Sequence, residues 1–92
     1  MAEINQLRKQ IDEVDEEILQ SLSKRAQICR TIGSLKRKQK IPIKDIPREN
    51  DVYAQLRKKA AVLRLDAAQV EAVYRQIVSM CSTVQELEEK RE

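Results

Sequence analysis

"INQLRKQIDEVDEEILQSLSKRAQICRTIGSLKRK", residues 4 to 38, is the stretch whose reading decides the fold. Apolar residues recur at Ile4, Leu7, Ile11, Val14, Ile18, Leu22, Ile28, Ile32 and Leu35. Steps of three and four place them along one face of a single helix. At 1.5 Å per residue that helix would run roughly 50 Å. A helix so long cannot fold back on itself, and a chain of 92 residues holds too little else to cover the stripe. The stripe therefore predicts association with a second copy of the chain.

Outward from this helix, "KIPIKDIPREN" (residues 40 to 50) interrupts the pattern. Pro42 and Pro47 end the first helix and delay the next. Asp45 stands where a cap is needed, with Pro47 in the first turn, where its missing N–H matters least. The second helix carries Val52, Leu56, Ala60 and Leu63. "RLDAAQ" (64 to 69) is the following boundary, with Asp66 as the cap of a third helix. Val70, Val73, Ile77, Val78, Cys81 and Val84 form its apolar stripe, which fades into the solvated end "ELEEKRE". There is one glycine and no Asn-Gly or Asp-Gly turn, so strands are not expected. The fold class is all-α: one domain over residues 1–92, with a long, a medium and a long helix.

Composition narrows the function. Eighteen basic and fifteen acidic residues give a net charge of +3, a mixed surface without the one-signed field of a dedicated nucleic-acid binder. No signal peptide or spanning apolar run is visible, so a cytoplasmic location with no membrane partner is expected. Histidine is absent, which excludes Ser-His and Cys-His nucleophile systems and removes the commonest zinc ligand. Cys29 and Cys81 show neither a metal spacing nor a disulfide framework, and read as small buried hydrophobes.

Polar residues that break the apolar stripes point to chemistry. Arg25 falls where the first seam calls for an apolar side chain, and Lys36 lies three turns further on nearly the same face. Their long side chains could lean together over a small anion. Equally, Arg25 could snorkel and Lys36 could favour the helix C-terminus. Arg8 is about 25 Å from Arg25 along a straight helix, so it could meet the same ligand only from a partner chain. The plainer reading of Arg8 is a solvated face beside the seam. Glu49 shares the stripe of Val52 and Leu56, with Arg48 beside it, although an acid also suits a first helical turn. Gln85, one turn from Cys81, sits beside a buried stripe and needs a hydrogen-bond partner, either structural or a ligand.

Taken in order, Arg8, Arg25, Lys36, Asp45, Arg48, Glu49, Cys81 and Gln85 resemble the active-site series of the all-helical class of chorismate mutase. "LRKQIDEVDEEILQSLSKR" is similar to that family's opening helix, and "IGSLKRKQKIPIKDIPRE" to its lysine, proline-bearing loop and Asp-x-x-Arg-Glu helix start. "MCSTVQ" resembles the third-helix segment that ends in the glutamine. The match spans essentially the whole chain; its specificity lies in the ordered set and spacings, since no single motif is distinctive.

The resemblance implies an intertwined, domain-swapped homodimer with two sites, each completed by Arg8 of the partner chain. It implies a monofunctional enzyme that rearranges chorismate to prephenate in aromatic amino acid biosynthesis, with no cofactor and no metal. Arg25 and the partner's Arg8 would bind the two substrate carboxylates. Lys36 would reach a carboxylate and the ether oxygen, and Gln85 would donate to the ether oxygen. Glu49 and the backbone near Asp45 would hold the ring hydroxyl, supported by Arg48. Cys81 stands where the family often has a small hydrogen-bonding residue near a carboxylate, and a thiol donates more weakly. Two other functions fit less of the pattern. An isochorismate-pyruvate lyase on the same fold would use a similar cationic site. A non-catalytic helical dimerisation module, binding RNA through "KRKQK" (36 to 40), would leave Arg25, Lys36 and Gln85 without a role.

Overall fold

A computed structural model of the chain describes residues 2–91. Three helices follow in order: α1 Ala2–Gln39, α2 Ile46–Val62 and α3 Ala67–Glu89. Strands are absent among the described residues. Helix α3 packs against both of the others, while α1 and α2 do not pack against each other. The molecule measures 55 × 28 × 15 Å, and its long dimension is that of α1.

The helix boundaries follow from local chemistry. Asp45 caps α2, its side chain accepting from the Arg48 N–H at 3.0 Å, and Pro47 lies in the first turn. Asp66 caps α3 in the same way, accepting from the Gln69 N–H at 2.9 Å. The C-terminal ends are less conventional. Lys40 and Arg64 adopt left-handed backbone, with φ of 57° and 60°. In each case the next residue reaches back across the last turn, Ile41 N–H to the Lys36 carbonyl and Leu65 N–H to the Ala60 carbonyl, both at 2.9 Å. These are Schellman closures, a position that glycine usually fills because it has no Cβ to crowd the backbone.

Burial is confined to a thin seam. Cys29, Tyr53 and Ala60 are the buried apolar residues, joined by Gly33 and Gln85. Leu63 does not continue the α2 stripe as its spacing predicts. It is the C-cap residue and stands exposed, because the chain leaves helical geometry there. Tyr53 occupies the interior instead, with the Arg75 guanidinium 4.5 Å from its ring centroid. Arg75 also donates to Glu71 at 3.0 Å, and Arg57 of α2 pairs with the same carboxylate. This cluster fastens α2 to α3.

By contrast, the first half of α1 has no cover. Every residue from Ala2 to Ser21 is exposed, and Ile4, Leu7, Ile11, Val14 and Ile18 each keep about half of their surface accessible. Among the described residues, no helix is long and apolar enough to cross a membrane.

Helices α1 and α3 are joined covalently. Cys29 and Cys81 form a disulfide with a Cα–Cα distance of 5.5 Å, within the ordinary range. This corrects the reading of two unconnected cysteines. Their separation of 52 residues conceals a pairing that only the α1–α3 contact creates. A loop of that length contributes about 4 kcal/mol of stability through the entropy of the unfolded chain.

Candidate active site

A cavity of about 410 Å³ opens between the C-terminal half of α1, the proline loop, the start of α2 and the end of α3. Helix α1 contributes Arg25, Ile28, Cys29, Ile32 and Lys36 to its wall. The loop supplies Ile43, Lys44 and Asp45, and α2 supplies Arg48, Glu49 and Val52. Val78, Cys81, Ser82 and Gln85 close it from α3. The four-residue spacing of Val78, Ser82 and the 81/85 pair turns one face of α3 into the wall, as helical periodicity requires.

Arg25, Lys36, Asp45, Arg48, Glu49, Cys81 and Gln85, singled out in the sequence, are thus brought together around one space. Arg8 is not. It lies on the exposed first half of α1, beyond reach of the cavity in its own chain. The charge balance favours an anion: Arg25, Lys36, Lys44 and Arg48 face Asp45 and Glu49, four cations against two carboxylates. Apolar Ile28, Ile32, Val52 and Val78 stand between them, so charges here are less screened than in open water.

Individual side chains are held in defined ways. Lys36 Nζ donates to the Ile43 carbonyl at 2.8 Å, which ties the proline loop to α1 and keeps the ammonium at the cavity wall. Glu49 is half-buried, whereas Arg48 is exposed and pairs with Asp51 at 3.7 Å. Gln85 is 6% exposed. Its Nε2 donates to Cys81 Sγ at 3.1 Å, and its Oε1 is buried with no hydrogen-bond partner among the described residues. Arg25 Nη1 lies 3.9 Å from Cys29 Sγ.

The expected thiol contact from Cys81 to a carboxylate does not hold in this structure. A disulfide sulfur carries no proton, so Cys81 accepts from Gln85 and has nothing to donate.

Sequence reasoning also missed Gly33. A Cβ there would stand 2.8 Å from Gln85 Cα and 3.2 Å from the Cβ atoms of Gln85 and Glu88. Only glycine lets α1 and α3 approach this closely beneath the cavity. An isolated glycine inside a helical pattern is the signal that could have revealed it.

Fold and site together define an all-α protein with a small, cationic, partly apolar pocket for an anionic ligand. Comparison with known proteins gives the family. The model of chorismate mutase type II matches residues 7–86. The chain is 34% identical over 88 residues to the bifunctional chorismate mutase/prephenate dehydratase of Aquifex aeolicus, covering 92% of this chain and 24% of that protein. It is 35% identical over 78 residues to the T-protein of Enterobacter agglomerans, covering 85% of this chain and 21% of the relative. It is 36% identical over 53 residues to the chorismate mutase of Methanocaldococcus jannaschii, covering 58% of this chain and 54% of the relative. This chain belongs to the chorismate mutase type II family. It spans about a quarter of the length of the first two relatives and about half of the third.

Proposed function

We propose that this chain is a chorismate mutase, an isomerase that converts chorismate to prephenate in the biosynthesis of phenylalanine and tyrosine, acting in the cytoplasm as a single domain over residues 1–92. The observation that carries the reading is the cavity in which Lys36 of α1 and Gln85 of α3 face one space under a net positive lining. The reaction is unimolecular: the ether C–O bond breaks as the new C–C bond forms. It calls for no nucleophile, metal or cofactor. What accelerates it is a wall that holds the chair-like conformer and donors aimed at the negative charge growing on the ether oxygen.

In this reading Arg25 forks onto one carboxylate of the dianion, and Lys36 serves a carboxylate and the ether oxygen. Gln85 supplies a second, neutral donor to that oxygen. Glu49 and the backbone beside Asp45 hold the ring hydroxyl, and Arg48 supports that corner. The second carboxylate is met by Arg8 of a partner chain. The bare apolar stripe of Ile4, Leu7, Ile11, Val14 and Ile18 supports this, because Arg8 lies beside it on a helix half that has nothing to pack against in its own chain. Two such helices exchanged between chains form an intertwined homodimer with two sites. The "KRKQK" run does not favour an RNA-binding module, since Arg37 within it is engaged with the Glu88 and Arg91 carbonyls at the end of α3.

The test is direct. Purified protein is given chorismate and, separately, isochorismate, and products are resolved by chromatography. Prephenate formation from chorismate well above the spontaneous rate is expected. Pyruvate release from isochorismate as the dominant activity would move the assignment to the lyase, and no effect on either compound would end the enzymatic reading.

A further inference from the structure

Helices α1 and α3 run in the same direction beside the cavity, and three successive turns of each meet. Cys29 is bonded to Cys81, Gly33 lies against Gln85, and Arg37 reaches the Glu88 carbonyl. Positions 29, 33 and 37 are four apart, so all three contacts lie on one face of α1. Gln85 therefore sits between two tethers, the disulfide one turn earlier and the Arg37 contact one turn later. The Gly33 contact between them is a floor. It stops α3 from coming closer, but van der Waals contact alone does little to stop it from lifting away.

Arg37 is built to hold the far tether. It is half-buried, and its Nη1 donates to the Glu88 carbonyl at 3.0 Å and to the Arg91 carbonyl. One such nitrogen carries two N–H groups, so it can serve both. Carbonyls at a helix end have no partner within the helix, and a cation there also meets the negative end of the dipole. Lys36, the preceding residue, donates to the Ile43 carbonyl. The last turn of α1 thus grips the proline loop with one residue and α3 with the next.

We propose that Arg37 is a positioning residue for the rearrangement: by holding the end of α3 it fixes where Gln85 stands relative to Lys36. The proposal rests on the function proposed above. Arg37 is not among the residues that line the cavity, so it acts through Gln85 and not on the substrate. The charge that Gln85 is to meet grows on the ether oxygen only as the C–O bond breaks. Displacement of Gln85 by an ångström therefore costs turnover and largely spares substrate binding, which rests on the carboxylates.

The experiment is a double-mutant cycle in the full chain, with kcat and KM for chorismate measured in the parent, Arg37→Met, Gln85→Ala and the double variant. Methionine keeps an unbranched apolar stem at the half-buried position and has no donor. Arg37→Met should lower kcat by roughly 10–10²-fold, with KM within about threefold of the parent. Gln85→Ala should lower kcat by roughly 10²–10³-fold. Adding Arg37→Met to Gln85→Ala should cost less than about twofold more, because the group that Arg37 positions is gone. Arg37→Lys keeps a charged donor for the Glu88 carbonyl and should recover most of the loss. Should Arg37→Met lose helix content by circular dichroism, Arg37→Gln takes its place in the cycle, with a kcat loss of at least about threefold expected from its weaker neutral donor.

Parent kcat in the folded donor-less variant overturns the proposal. So does an equal fold-loss with and without Gln85, since an arginine that only stabilises the fold would lower both backgrounds alike. A rise in KM at unchanged kcat, or an Arg37→Lys no faster than Arg37→Met, also overturns it. Full kcat in Gln85→Ala overturns it while leaving the function standing. Absence of chorismate turnover in the parent instead overturns the function, and the positioning role falls with it.

Discussion

Gly33 of α1 and Gln85 of α3 meet backbone to backbone, with room for no more than a hydrogen on Gly33. Lys36 follows one turn later on α1, so this contact sets the spacing of the two groups proposed to serve the ether oxygen. Gly33→Ala should push α3 away at Gln85 and cost about 1–3 kcal/mol by overpacking. A fall in kcat that exceeds any rise in KM, with helix content unchanged by circular dichroism, is the expected pattern. A variant with the parent kcat would show that the spacing does not matter to the reaction.

Lys36→Ala and Arg25→Ala should each lower kcat/KM by roughly 10²–10³-fold or more, since each removes a charged donor from a partly apolar wall. The proposed helical dimer should persist, as neither side chain belongs to the buried seam. Steady-state rates together with sedimentation check both halves. Parent-like rates in either variant would remove that residue from the site.

If Arg8 serves the partner's pocket, Arg8→Ala chains and Arg25→Ala chains are each inactive alone, yet mixing them after partial unfolding restores one competent site per heterodimer. Recovery of activity on mixing is therefore expected. Mixed chains that remain as inactive as either parent would place Arg8 outside the site.

Glu71 gives a pH-dependent prediction. The hydrogen bond from Arg75, aided by Arg57 and opposed by burial, holds its carboxyl below the ordinary glutamate value. A lowered folded-state value means that the stabilisation is present above the unfolded value of about 4.3 and is lost as pH falls through the folded one. Glu71→Gln should therefore lower Tm at neutral pH, and the gap to the parent should close on acidification below about pH 4. A gap that stays constant across that range would mean the ion pairs contribute nothing.

Arg64 closes α2 in left-handed backbone without being a glycine. Arg64→Gly relieves the Cβ crowding and gives back part of the gain through a more flexible unfolded chain, for a net stabilisation of about 0.5–1 kcal/mol. The urea midpoint should rise at unchanged slope. A lower midpoint would mean that the arginine side chain contributes more than its backbone costs.

The parts of the site legible in the sequence are those that a one-dimensional pattern can carry. Arg25 and Lys36 stand out because they interrupt or extend an apolar stripe, and Asp45, Arg48 and Glu49 because a proline loop and a cap precede them. Gln85 stands out as an amide beside a buried stripe. Leu63 was misplaced because the spacing of apolar residues does not register where the backbone turns left-handed, one residue later at Arg64. The two Schellman closures were hidden for the same reason, since Lys40 and Arg64 carry no glycine signal.

By itself, the sequence determined three helices, their caps at Asp45 and Asp66, the length of α1 and the cationic residues that α1 presents, because propensity, capping and helical period are local properties. The tertiary structure decided what the α1–α3 crossing brings together: the Cys29–Cys81 bond, the Gly33–Gln85 contact and the buried amide with its unpaired oxygen. The first two join residues about fifty positions apart, and only the packed geometry of two helices brings such residues into contact.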